Sequence, residues 1–203
     1  MAESGAPPLL LASASPFRRR MLEAAGLSFR VAPADIDEDA LKQRLLQAKS
    51  APPAIAMALA RAKAEAISAG SREALVIGAD QVLAFGGELF SKPADRAQAR
   101  AQLLRLRGHS HCLHTAVALA IGGKIVWNRV ETATLVMRAF SDAFLARYLD
   151  EAGDRVCRTV GAYEIEGLGI QLFERIDGDY FGIIGLPLLA LLAELRARGV
   201  VAA

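Results

Sequence analysis

Ser13-Ala14-Ser15-Pro16-Phe17-Arg18-Arg19 sets two hydroxyls and two guanidinium groups where an apolar run gives way to an amphipathic one. If the first is a strand and the second a helix, the turn between them presents free backbone N–H groups and the positive end of the helix dipole. Hydroxyls and guanidinium groups beside such a turn make a cradle for phosphate; the same residues also read as a capped helix with surface arginines. A serine nucleophile is the weaker idea, because no G-x-S-x-G elbow surrounds either serine. Asp80 closes the apolar run Leu75-Val76-Ile77-Gly78-Ala79. A carboxylate at the carboxyl end of a buried strand lies where ligands tend to sit in open α/β sheets. It can hold a divalent cation or take a proton from water there, or serve only as a turn residue. Asp35, Asp37, Glu38 and Asp39 supply further hard oxygen donors in a run that also reads as a solvated acidic turn. Lys63 and Lys92 are ordinary surface lysines taken singly and point charges suited to a polyphosphate taken together. His109 and His111 would share one face of a regular strand and His114 the other, so three-point metal coordination fails and ordinary strand histidines are the expectation.

Strand, tight turn and helix position the first of these groups. Leu9 to Ser13 reads as the strand, Ser15 as a residue that can accept from the first helical N–H groups, Pro16 as the first helical residue and Gly26 as the stop. A short strand near Phe29 to Ala32 leads to the acidic turn, and Pro52-Pro53 opens an Ala-rich helix to about Gly70 that carries Lys63. Gly86-Gly87 and Gly122-Gly123 each mark a hairpin, the second between His114 to Ile121 and Lys124 to Met137. Lys92-Pro93 precedes a helix to about Leu106, and Ser141 caps another ending near Gly153. From Gly161 to Gly185 the pattern predicts Gly-rich turns alternating with strands, before a last helix between Pro187 and Gly199. With no internal repeat and no long linker, the expectation is a mixed α/β fold with two lobes around a cleft.

Composition narrows the function classes. The chain has 203 residues, 53% hydrophobic and 23% charged, with a mean hydropathy of +0.28, which suits a folded domain rather than a disordered segment. A net charge of +2 with scattered basic residues leaves no extended nucleic-acid footprint. Cys112 and Cys157 form no CxxC pair, as suits a reducing cytoplasm and argues against structural zinc. No secretory signal is read at the start. The longest uncharged apolar stretch, Tyr180 to Ala193, has 14 residues, short of the roughly 20 that span a bilayer.

Taken in order, Leu11-Ala12-Ser13-Ala14-Ser15-Pro16-Phe17-Arg18-Arg19, Gly78-Ala79-Asp80-Gln81-Val82, Lys92-Pro93, Gly161-Ala162-Tyr163-Glu164-Ile165-Glu166-Gly167 and Gly185-Leu186-Pro187 resemble the Maf family of nucleotide pyrophosphatases across nearly the whole chain. The resemblance implies one Maf-like domain over 1–203, a two-lobed mixed sheet with flanking helices around a central cleft, often paired as a homodimer. It implies hydrolysis of nucleoside triphosphates to monophosphate and pyrophosphate with a divalent metal, Mg²⁺ or Mn²⁺. Asp80 matches the family's proton acceptor, and Ser13, Arg18, Glu38, Lys63 and Lys92 match its polar cleft positions. On that footing Asp80 and a second acid, Asp37 or Glu38, hold the metal while Arg18, Lys63 and Lys92 stabilise departing pyrophosphate.

Three family positions separate subgroups by base. Those of the thymidine and uridine type carry Arg, Thr and Gln, and those of the 7-methyl-GTP type Trp, Gln and Glu, where this chain has Phe17, Gln81 and Glu166. Two identities and a retained aromatic imply 7-methyl-GTP. A methylated, positively charged guanine stacks well on an aromatic face, and a carboxylate can accept from guanine N1–H and N2–H₂. Phe in place of Trp offers a smaller face without the indole N–H, which weakens or broadens base choice. Ser91 replaces the usual Gly before Lys-Pro, and Arg107 the common Ser before Gly108, changes that bear on loop geometry. The alternatives are a pyrimidine (dTTP or UTP) or broad-specificity pyrophosphatase, and a non-catalytic nucleotide-binding module of septum regulation.

Overall fold

The computed structural model describes residues 7–202. β1 (Leu9–Leu11) runs into a turn where Ser15 Oγ accepts from the Arg18 N–H at 3.4 Å, and with Pro16 at its first position α1 (Pro16–Ala24) begins there. Met21 and Leu22 turn inward, and the helix stops before Gly26 at φ +75°. β2 (Arg30–Val31), α2 (Glu38–Gln47) and α3 (Pro52–Gly70) follow, then β3 (Leu75–Phe85) and β4 (Glu88–Phe90). Next come α4 (Arg96–Leu106), β5 (Ser110–Ile121), β6 (Lys124–Met137) and α5 (Asp142–Ala152). After three 3₁₀ turns the chain ends in β7 (Phe173–Asp177), α6 (Tyr180–Ile184) and α7 (Leu188–Ala197).

These strands form one mixed seven-stranded sheet in the order β2-β1-β3-β5-β6-β7, with β4 paired to β3. β1 is parallel to both neighbours, Leu10 opposing Arg30 on β2 and Val76 on β3. β4 and β7 are antiparallel to their partners, and a bulge at Val136 and Met137 interrupts the β6–β7 pairing. Both sequence-predicted hairpins form, because Gly86-Gly87 and Gly122-Gly123 each supply two consecutive positive φ values, the backbone a two-residue type I′ turn requires.

The chain divides into two compact units. One comprises the described residues up to Asp80, Thr115–Glu131 and the described residues from Asp179; the other comprises Gln81–His114 and Thr132–Gly178. In the first, Leu9 and Leu11, Leu22, Leu75 and Ile77, Val117 and Leu119, and Leu191 and Leu195 pack into one core, which Trp127 and Phe181 border. In the second, Leu83, Leu103, Leu106, Leu113, Leu135 and Met137 are completely or almost completely buried. No helix among the described residues is long and apolar enough to cross a membrane.

Two local expectations need correction. The acidic run is not a free turn but the start of α2, whose low amphipathicity and absence of buried residues hide it from a hydrophobic-periodicity reading. Between Gly161 and Gly185 only β7 is a strand. The rest is the 3₁₀ turns Val160–Ala162 and Leu168–Leu172 and the short helix α6, because the closely spaced glycines tighten the chain before a ladder can form.

Candidate active site

Gly78 and Asp80 are two positions apart on β3 and therefore share a strand face. A Cβ at Gly78 would collide with the Ala60 carbonyl oxygen and stand 2.7 Å from the Ala64 nitrogen. Glycine there, facing two alanines one helical turn apart, brings α3 against β3 backbone to backbone. Lys63, adjoining Ala64, is thereby delivered to the strand's end, where its Nζ donates to Asp80 Oδ1 at 2.7 Å. Both residues are 8% exposed.

Glu38 comes to the same ammonium from α2. Asp37 caps that helix, its Oδ1 accepting from the Ala40 N–H at 2.8 Å. Glu38, the next residue, is then free of capping, and its Oε2 stands 2.8 Å from Lys63 Nζ. Of the two acids the sequence leaves open, Asp37 serves its own helix and Glu38 faces Asp80 across one lysine. Asp35 and Asp39 are exposed.

Arg18 completes the group from α1. Its Nη1 donates to Ser13 Oγ at 3.0 Å and its Nε to the Gly185 carbonyl at 2.8 Å. Burial pushes the guanidinium pKa down, while the nearby Asp80 and Glu38 carboxylates push it up. Arg19 points away and pairs with Glu23 on the surface at 2.7 Å. The helix is thus capped by Ser15, while Ser13 and Arg18 turn inward and bond to each other.

Ser13, Arg18, Glu38, Lys63 and Asp80 therefore meet within the first unit as two carboxylates and two cations. Two carboxylates converging on one point are the hard oxygen donors that Mg²⁺ or Mn²⁺ takes. Among the described residues no three His, Cys, Asp or Glu gather into a metal-binding group. The pair still fits Mg²⁺, which is commonly bound by one or two carboxylates together with substrate phosphates and water.

The sequence singles out four more residues, Phe17, Gln81, Lys92 and Glu166. Phe17, half-buried on α1, has the Arg20 guanidinium 5.0 Å from its ring centroid. Gln81, half-buried, and the exposed Lys92 and Glu166 belong to the second unit. The three histidines have separate occupations. His111 Nε2 is 2.8 Å from the Tyr163 hydroxyl, His114 Nδ1 is 2.8 Å from Thr132 Oγ1, and His109 donates through Nδ1 to the Arg107 carbonyl at 2.8 Å. Burial lowers the His111 pKa to about 4.

Sequence reading missed two supporting roles, the Gly185 carbonyl that orients Arg18 and the close approach at Gly78. The second was legible as a glycine inside an apolar strand run, a usual mark of close backbone approach. The first joins residues far apart in sequence and left no local signal.

The family described as Maf-like protein matches residues 8–198. A 7-methyl-GTP pyrophosphatase of Rhizobium etli is 48% identical over 195 residues, 96% of this chain and 98% of that protein. A nucleoside triphosphate pyrophosphatase of Bradyrhizobium diazoefficiens is 53% identical over 198 residues, covering 98% and 97%. Another so named, from Paramagnetospirillum magneticum, is 50% identical over 190 residues, covering 94% and 98%. With the match running from β1 through α7 and relatives of this identity aligned over almost their full length, the chain belongs to the Maf-like family.

Proposed function

We propose that this protein hydrolyses nucleoside triphosphates to the monophosphate and pyrophosphate, with 7-methyl-GTP preferred. The observation that carries the reading is the Lys63 ammonium held between Asp80 and Glu38 beside the buried Arg18. The names of the relatives support it. Before substrate arrives Lys63 holds the Asp80 carboxylate through Oδ1, and in the reaction Asp80 takes the proton of the attacking water. The water oxygen bonds to the α-phosphorus as the bond from that phosphorus to the bridging oxygen breaks, and pyrophosphate leaves with the bridging electron pair. Arg18, oriented by Ser13 and Gly185, and Lys63 stabilise charge on the departing group; Lys92 keeps the role that the family resemblance implies for it. Asp80 and Glu38 would hold a divalent ion, Mg²⁺ or Mn²⁺, which when bound neutralises phosphate charge.

For the base, the family resemblance assigns a stacking face to Phe17, a carboxylate for the guanine edge to Glu166 and a further polar contact to Gln81. A broader base range is the second reading. It is favoured by the general name of the Bradyrhizobium and Paramagnetospirillum relatives and by Arg20 over the Phe17 ring, where a cation competes with a cationic base.

Pyrophosphate release from a panel of standard and modified nucleoside triphosphates, with Mg²⁺ or Mn²⁺, tests both. Highest release from 7-methyl-GTP, moved away from guanine by Phe17→Arg with Glu166→Gln, is expected. Release from pyrimidines or from all bases alike keeps the hydrolysis and removes the preference. Nucleotide binding without release from any of them makes the protein a nucleotide-binding module instead.

A further inference from the structure

The position between Asp80 and Glu38 already holds a cation. Lys63 Nζ lies 2.7 Å from one carboxylate and 2.8 Å from the other, almost out of reach of solvent. With Arg18 beside them the four side chains carry equal numbers of positive and negative charges. Lys63 and Asp80 are buried while Glu38 is 47% exposed on the solvent side, so a divalent ion entering this group alone would leave an uncompensated double positive charge in a half-solvated place, which is costly. A triphosphate brings more negative charge than one divalent ion cancels, so ion and nucleotide together can enter where the ion alone cannot.

The two cations are held differently. Arg18 is pinned by two directional bonds, to Ser13 Oγ and the Gly185 carbonyl. The contacts of Lys63 are to the two carboxylates themselves, and its head is a compact charge on a flexible four-carbon stem. Lys63 is the cation that can give way. We propose that Lys63 is a placeholder cation, occupying the point between Asp80 and Glu38 that the divalent ion takes, so that the protein takes up the ion together with the nucleotide and the displaced ammonium moves onto the polyphosphate. This rests on the hydrolysis reading above and goes beyond it by setting the order in which metal and nucleotide are bound.

The test is Mn²⁺ binding to the full chain, followed by water-proton relaxation, which separates protein-bound from nucleotide-bound metal. It is read with and without the α,β-methylene analogue of GTP, which turnover does not consume. Wild type is expected to give weak binding with Mn²⁺ alone and a strong signal once the analogue is added. Without the analogue, Lys63→Met should tighten Mn²⁺ binding about tenfold or more, since it removes a positive charge in contact with both ligands. Adding Glu38→Gln to Lys63→Met should cancel that gain. Wild type that binds Mn²⁺ alone as tightly as with the analogue, or a folded Lys63→Met protein with unchanged or weaker Mn²⁺ affinity, overturns the placeholder role. If Lys63→Met does not fold by circular dichroism, the wild-type comparison decides. Pyrophosphate release by the same wild-type preparation reads the hydrolysis separately. Turnover with tight Mn²⁺ binding in the absence of nucleotide overturns only the role of Lys63, and no turnover of any nucleotide overturns the reading beneath it.

Discussion

Gly78 on β3 lies against the Ala60 carbonyl of α3 with no room for a methyl group between them. That contact sets the distance from helix to strand and with it the 2.7 Å bond from Lys63 to Asp80 one step further along. Gly78→Ala must push the helix away or bend the strand, an overpacking cost of about 1–3 kcal/mol. Thermal unfolding should show the loss of stability, and pyrophosphate release should fall more than stability alone explains. A variant with wild-type Tm and rate would mean that the helix is not seated by this glycine.

Asp80→Asn keeps an oxygen for Lys63 to donate to and removes the carboxylate that we propose accepts the proton of water. The rate should drop by about 10²–10⁴ with little change in Tm. Near wild-type turnover would remove Asp80 from the reaction.

Arg18→Lys preserves charge and loses the fork that reaches Ser13 Oγ and the Gly185 carbonyl together. Ser13 Oγ keeps the Ser15 N–H at 3.3 Å, but leaving the Gly185 carbonyl unpaired should cost about 1–3 kcal/mol in denaturant unfolding. KM for the nucleotide should rise beside it. An unchanged unfolding midpoint would show that the bonds to Ser13 and Gly185 carry no net stability.

His111 gives the protein a slope in its acid stability. Its ring is 2% exposed, and burial lowers its pKa to about 4 from the ordinary 6.5. The unfolded chain therefore binds the proton first as pH falls, and the folded state resists it. The neutral ring's contribution is intact above pH 6.5, is lost progressively between about 6.5 and 4, and levels off below, amounting to up to about 3 kcal/mol. Urea unfolding from pH 7 to 4 should show this decline, and His111→Gln should flatten it. Parallel declines in the two proteins would assign the slope to other groups.

The parts of the fold legible in the sequence were those with local punctuation. Ser15-Pro16 and Gly26 bracket α1, Pro52 opens α3, and paired glycines turn both hairpins, each through a backbone requirement that few residue types meet. α2 escaped because its stability does not come from a buried stripe, so its capping acid and its site acid read together as solvated charge. The candidate site residues Ser13, Arg18, Glu38, Lys63 and Asp80 follow from the family resemblance and from their chemistry. Their convergence depends on the closeness of α3 to β3, which appears in the sequence only as a glycine and two alanines. The 3₁₀ turns after α5 left no periodic signal, since each is a few residues long.

The bond from Arg18 to the Gly185 carbonyl spans 167 positions of chain, and α6 and α7 belong to the same compact unit as β1 and α1. The turn after β1 is translated long before α6, and the Arg18 guanidinium acquires its fixed aim only when the segment carrying Gly185 has emerged and folded back. A nascent or proteolysed chain ending before residue 179 would carry every acidic and basic side chain of the site and still lack the acceptor that orients Arg18. The aim of Arg18 is in this way tied to the synthesis and folding of a segment far along the chain, and a fragment that stops short of Gly185 should hold this guanidinium loosely.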